Sequence, residues 1–166
     1  MQKDNSEINT GGKTMGKKYW LFKSEPGAYS YPDLEKDEVA EWDGVRNYTA
    51  RNYLRSDIKV GDGVLFYYSN AKPQRIVGTA LVVRDGYPDF TAWDPKSDHY
   101  DPKSTQENPI WYMVDIKPLT RFQKEITLQE IKNIPDLHDM ILVNNSRLSV
   151  QPVTATEWEI ITSLGN

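Results

Sequence analysis

The sequence predicts an α+β domain, a small mixed or curled β-barrel with flanking helices. Three observations predict it. Apolar strand-like runs outnumber helical patterns, they do not alternate with helices as βα units, and the order is strand, helix, then several strands with small helices at the end. No Rossmann or P-loop glycine pattern competes with this arrangement.

The elements follow in order. Residues 18–23 (KYWLFK) form an aromatic and aliphatic run, a buried strand stopped by Pro26 and Gly27. Residues 31–35 predict a short helical turn, followed by an acidic, solvated stretch to Glu41. Trp42, Asp43 and Gly44 predict a turn. From Asn47 a helix is expected, capped by Asn47, with Ala50, Tyr53 and Leu54 inward and Tyr48, Arg51 and Arg55 sharing one face. Residues 60–63 turn into a strand over 64–69 (VLFYYS), which ends in the polar tip Ser69, Asn70. The next strand is 76–84 (IVGTALVVR), with Gly78 marking a bulge or a close backbone approach. Residues 85–109 lack periodicity and predict a long loop. A strand over 110–117, a capped helix over 127–133 with Thr127 and Glu130 at capping-box spacing, and an extended piece over 148–153 come next. A helix over 154–164, capped by Thr154 with Glu157 and stopped by Gly165, closes the chain.

The chain of 166 residues has no internal repeat and is long enough to bury one sizeable core. Residues 1–16 are polar, include Gly11 and Gly12, and predict a disordered tail; residues 17–166 predict a single domain. Cysteine is absent and histidine is limited to His99 and His138, so no disulfide, thiolate metal site or cofactor is expected. No apolar run approaches the roughly 20 residues that span a bilayer, and no secretory h-region is present. A soluble protein without membrane contact is expected, cytoplasmic, or nuclear in a eukaryote.

Net charge is −4, so the molecule as a whole is no electrostatic glue for nucleic acid, yet residues 46–75 carry six basic residues against two acids. Within that island, residues 42–55 (WDGVRNYTARNYLR) concentrate an indole, phenols, three guanidiniums and two carboxamides. Aromatic faces stack on bases, and arginine or asparagine pairs with base edges, so this stretch has the chemistry to bind a flat polar ligand. An amphipathic helix with a core tryptophan and solvated arginines explains the same residue types.

Six stretches then stand in order: YWLFKSEP (19–26), WDGVRNYTARN (42–52), FYYSN (66–70), HYDP (99–102), NPIWYMVD (108–115) and RLSVQP (147–152). Together they resemble the EVE domain family, and the resemblance runs from about residue 19 to residue 164. It implies a PUA-like barrel, related to YTH and ASCH domains, whose mouth accepts a single base, including modified bases such as a modified cytosine in DNA. Carried over to this chain, the pocket draws on Ser24 and Glu25, and on Trp42, Asp43, Gly44, Val45, Arg46 and Asn47. Tyr68, Ser69 and Asn70, with Ser149, Gln151 and Pro152, complete it. Arg51, Arg55, Lys72 and Arg75 are the expected contacts to backbone phosphates.

The expected partner is therefore modified DNA, or RNA for a regulatory domain of the same fold. A nucleic-acid hydrolase built on Ser69, Asp98, His99 and Asp101 has no spacing that matches a known catalytic arrangement. A protein-interaction module would use the acidic residues 33–41. Trp20 and Trp111 lie in strand runs and are expected in the core.

Overall fold

The computed structural model describes residues 17–144 and 147–166. The expectation for residues 1–16 falls outside them. The described chain runs β1 (Tyr19–Ser24), α1 (Tyr31–Asp37), β2 (Ala40–Glu41) and α2 (Tyr48–Asn52), which widens into a π-helical turn at Tyr53–Asp57. β3 (Gly63–Tyr68), β4 (Arg75–Pro88), a 3-10 turn at Phe90–Trp93 and β5 (Tyr112–Thr127) follow. α3 (Leu128–Lys132), a second 3-10 turn at Pro135–Leu137, α4 (Ile141–Asn144), β6 (Val150–Val153) and α5 (Ala155–Gly165) complete the order.

One six-stranded sheet, ordered β2-β5-β4-β3-β1-β6, carries these elements. β1 and β3 pair in parallel and the other pairs are antiparallel. The α+β class holds. β2 and β6 stand at the two ends of an open row, so the strand pairings do not close the expected barrel. Curvature enters through register shifts along β3, β4 and β5 instead. Gly78 lies at one such shift, and a Cβ there would stand 2.8 Å from the Thr120 carbonyl oxygen, so both expectations for that glycine hold.

Period-2 alternation divides the core. In β1, Trp20 and Phe22 join one apolar layer while Leu21 joins the other; in β3, Val64, Phe66 and Tyr68 separate likewise from Leu65 and Tyr67. The first layer is covered by α1, α2 and the π-helical turn through Leu34, Ala50 and Leu54. The second is covered by α3 and α5 through Ile131 and Ile161. All six residues of β3 are buried, as a central strand covered on both faces requires.

Local chemistry sets the helix starts. Asn47 caps α2 by accepting from the Ala50 N–H, and Thr127 with Glu130 and Thr154 with Glu157 form full capping boxes. Ser30 and Asp33 form a third, so part of the acidic stretch 33–41 is helix N-terminus rather than free surface. β2 arises where that stretch was expected to remain irregular, through pairing of Ala40 with Ile116 and Glu41 with Asp115. β4 and β5 outrun their expected ends because the ladder continues through bulges, one of them beside Pro118.

Among the described residues no helix is long and apolar enough to cross a membrane. The buried Asp62 carboxylate ties the start of β1 to the turn before β3, accepting from Lys18 N–H (3.1 Å), Trp20 Nε1 (2.9 Å) and Lys59 N–H (2.9 Å). Trp20 is core, as expected. Asp62→Ala strands three donors, each costing about 1–3 kcal/mol if left unsatisfied. Urea unfolding is expected to show a loss of about 3 kcal/mol or more, with Asp62→Asn retaining part of it.

Candidate functional site

The chain that leaves β2 builds the wall of a large cleft. The Trp42 N–H still follows the sheet, donating to the Val114 carbonyl at 2.8 Å. Its indole packs against Phe22 (5.4 Å between ring centres), Phe66 (5.6 Å) and, edge-on, Tyr29 (6.2 Å). Trp42 is therefore half core and half cleft wall.

Gly44 then takes a left-handed φ of 78°, and a Cβ on it would stand 2.6 Å from His99 Nε2. Only glycine satisfies both the dihedral and the approach of the imidazole. The Gly44 N–H donates to Asp89 Oδ2 at 2.8 Å. Arg46 Nη1 donates to the same oxygen at 3.0 Å, while Nη2 donates to the His99 carbonyl at 2.7 Å. Asp89 Oδ1 accepts from the Thr91 N–H and hydroxyl. Burial pushes the Asp89 carboxyl up, but the Thr91 hydroxyl, the Gly44 N–H and Arg46 outweigh it and hold it below the usual carboxylate value. Asp43 differs. Burial raises its carboxyl, and Asp89 adds to the rise while His99, 3.7 Å away, opposes it.

The cleft measures about 960 Å³. Ser24, Glu25, Trp42, Asp43, Gly44, Val45, Arg46 and Ser149 line it, so the structure brings together the end of β1, the 42–46 turn and the start of β6. The Lys23 N–H donates to the Ser149 carbonyl and fixes that junction. Lys23, Tyr29, Asp37, Glu41, His99 and Asp115 also contribute to the lining. Tyr29 donates to Asp37, and burial followed by that carboxylate raises its phenol well above the ordinary value. Tyr87 likewise donates to Asp115.

Six expected pocket residues lie elsewhere, for definite reasons. Asn47 lies outside the cleft lining, its Oδ1 engaged in the α2 cap. Tyr68 is buried in the first apolar layer, its hydroxyl accepting from the Tyr31 N–H at 2.8 Å. Ser69 reaches Ser24 only through its N–H, and Asn70 forms an exposed left-handed turn. Gln151 is fully buried and donates from Nε2 to the Leu148 carbonyl. Pro152 lines a separate depression with Lys18, Trp20 and Tyr53.

The four basic residues divide between two parts of the chain, the α2 region and the β3–β4 hairpin. Arg51 donates to the Ile110 carbonyl (2.7 Å) and Asn52 Oδ1 (2.8 Å), and Arg55, on the π-helical turn, donates to Ser56. Lys72 and Arg75 belong to the β3–β4 hairpin, where Arg75 pairs with Glu125 at 2.8 Å. Asp89 is the site residue that the sequence concealed, since an isolated aspartate in a loop carries no spacing signal. The expected loop holds it, and that loop is internally bonded: Trp111, in the core as expected, donates through Nε1 to Asp101 at 2.7 Å. Tyr100 stays exposed and off the cleft. Among the described residues, no three His, Asp or Glu side chains are placed to share a metal ion.

The EVE domain model matches residues 18–164. Thymocyte nuclear protein 1 of Mus musculus is 39% identical over 176 residues, covering 95% of this chain and 77% of that protein. A hypothetical protein from Leishmania major superposes with a TM-score of 0.86 at 48% identity, covering 90% of this chain and 94% of the other. The crystal structure of the human THYN1 protein in complex with 5-methylcytosine-containing DNA superposes with a TM-score of 0.84 at 38% identity, covering 90% and 98%. With a match that runs through every strand of the sheet, this chain belongs to the EVE domain family.

Proposed function

We propose that the chain is a nucleic-acid binding module, not an enzyme, and that its cleft receives one flipped or unpaired base, with modified cytosine in DNA as the ligand. The observation that carries this is an aromatic wall, Trp42, in a cleft whose charged lining is mostly carboxylate: Glu25, Asp37, Glu41, Asp43 and Asp115 against Lys23 and Arg46. Carboxylates accept from an exocyclic amino group such as cytosine N4 and repel a phosphate, so the base and not the backbone belongs inside. The human relative bound to 5-methylcytosine DNA supports the same ligand class.

Flipping a base out of a duplex costs a few kcal/mol, and stacking on an aromatic ring returns about 1–3 kcal/mol. The two nearly cancel. Discrimination then rests on how well a modification fills the space beside Trp42 and on the hydrogen bonds at the base edge.

Wild-type protein is expected to bind a single-stranded DNA oligonucleotide with one 5-methylcytosine more tightly than its unmodified twin in a fluorescence titration. Trp42→Leu keeps an apolar filler against Phe22 and Phe66 but removes the stacking face, and should weaken binding about fivefold or more and erase the preference. Equal wild-type affinity for the two strands sinks this function. Competition by RNA of the same sequence reads out the sugar preference.

Asp89→Asn tests the wall itself. It leaves the partly exposed Arg46 without its counter-charge and the Gly44 and Thr91 donors without a full acceptor, a loss of about 1–3 kcal/mol, and should weaken strand binding although Asp89 lines no part of the cleft. The carboxyl of Asp89 is held below its ordinary value of 3.8, so its contribution to stability is complete above that value and is lost as pH falls through the lowered one. Acid unfolding followed by circular dichroism should therefore be shallower in Asp89→Asn than in wild type.

A further inference from the structure

We infer a second base-binding surface beside the cleft: a stacking platform, Tyr48 with the Arg51 guanidinium, that takes the nucleobase adjacent to the one in the cleft. This rests on the cleft function proposed above. Tyr48 is 59% exposed, yet its ring is not loose. Trp111 lies beneath it at 5.0 Å and 33°, itself only 6% exposed and anchored to Asp101. The Arg46 guanidinium covers Trp111 at 5.3 Å and also lines the cleft. Arg51 Cζ stands 5.1 Å from the centre of the Tyr48 ring, with its guanidinium held by Ile110 and Asn52, so that ring and guanidinium form one pair with Tyr48 still largely exposed. A continuous series of cation and ring thus leads from the cleft wall to an exposed aromatic.

Charge gives the direction in which a strand leaves the cleft. The carboxylates of the lining repel phosphate, whereas residues 44–56 carry three arginines and no acid, and with Arg46 paired to Asp89 the outward charge there rests on Arg51 and Arg55. The backbone therefore leaves past Arg46 toward Arg51 and Arg55, which carries the next base onto the exposed part of the Tyr48–Arg51 pair. A ring already immobilised from below loses little freedom when a base stacks on it, and every base has a π-face, so the platform adds affinity without choosing sequence.

The test uses three ligands: 5-methyldeoxycytidine monophosphate, a trinucleotide with thymidine on both sides of 5-methyldeoxycytidine, and the same trinucleotide with abasic flanks. Wild type should bind the full trinucleotide about tenfold tighter than the abasic-flanked one. Tyr48→Ala should abolish that advantage and leave the mononucleotide affinity unchanged, and Tyr48→Phe should keep it. An advantage that survives Tyr48→Ala, or a Tyr48→Ala defect equal for the mononucleotide and the trinucleotide, overturns the platform. Trp42→Leu separates the two sites. If it leaves mononucleotide binding intact, the cleft function fails while the flank advantage still judges the platform, and if wild type binds none of the three ligands, both fall.

Discussion

A single buried carboxylate, Asp89, sets the geometry on which the cleft depends. An ionised group wholly removed from water is tolerated only when its oxygens are satisfied, and here two donors come from its own 3-10 turn and two from the cleft wall. A carboxylate offers about four acceptor positions, so the set is full. The consequence is positional. Gly44 and Arg46 are drawn to the same oxygen, which fixes the turn between them, and Arg46 in turn holds the His99 carbonyl, so the loop is clamped against the turn. The imidazole of His99 occupies the space that glycine leaves.

Trp42 shows how the site borrows rigidity from the core. Its ring neighbours, Phe22 and Phe66, come from β1 and β3, adjacent parallel strands paired residue for residue. The indole is thus an outward extension of the first apolar layer. A ring held on three sides has few rotamers left to lose when a flat ligand meets it, and binding keeps more of the stacking energy. The same placement ties recognition to stability, which makes leucine a better probe of the wall than alanine, since truncating a packed tryptophan to alanine costs about 3–5 kcal/mol.

The legible parts of the fold were those encoded locally. Asn47, Thr127 with Glu130, and Thr154 with Glu157 announce their caps because capping is a contact over three residues, and β1 and β3 announce themselves as apolar runs. β2 was hidden, since two residues, Ala40 and Glu41, become a strand only through β5. The bulges that let β5 pass Pro118 were hidden for the same reason. For the site, the 42–46 turn, Ser24, Glu25 and Ser149, which the resemblance implied, line one cleft. The resemblance could not tell that Gln151 turns its Nε2 to a backbone carbonyl, because a carboxamide in a motif looks the same whether it faces a ligand or a neighbouring carbonyl. Nor could charge counting show that Arg75 is paired with Glu125, which divides the basic island into separate groups.

That division bears on how a strand with one negative charge per nucleotide meets an acidic protein. If Arg51, Arg55, Lys72 and Arg75 formed one stripe, affinity would be dominated by counterion release and would fall steeply with salt. The structure instead ties Arg75 to Glu125 of β5 and Arg46 to Asp89, and leaves a short cationic run, Arg51 and Arg55, beside a cleft lined with acids. Few phosphates can be contacted at once, and a phosphate that strays into the cleft is repelled. On the proposed function, non-specific attraction is therefore weak, and what remains to separate one strand from another is the fit of a base against Trp42 and the carboxylates around it. A net charge of −4 is thus compatible with nucleic-acid binding of this kind, since it suppresses the sequence-independent term that would otherwise mask recognition of a single base.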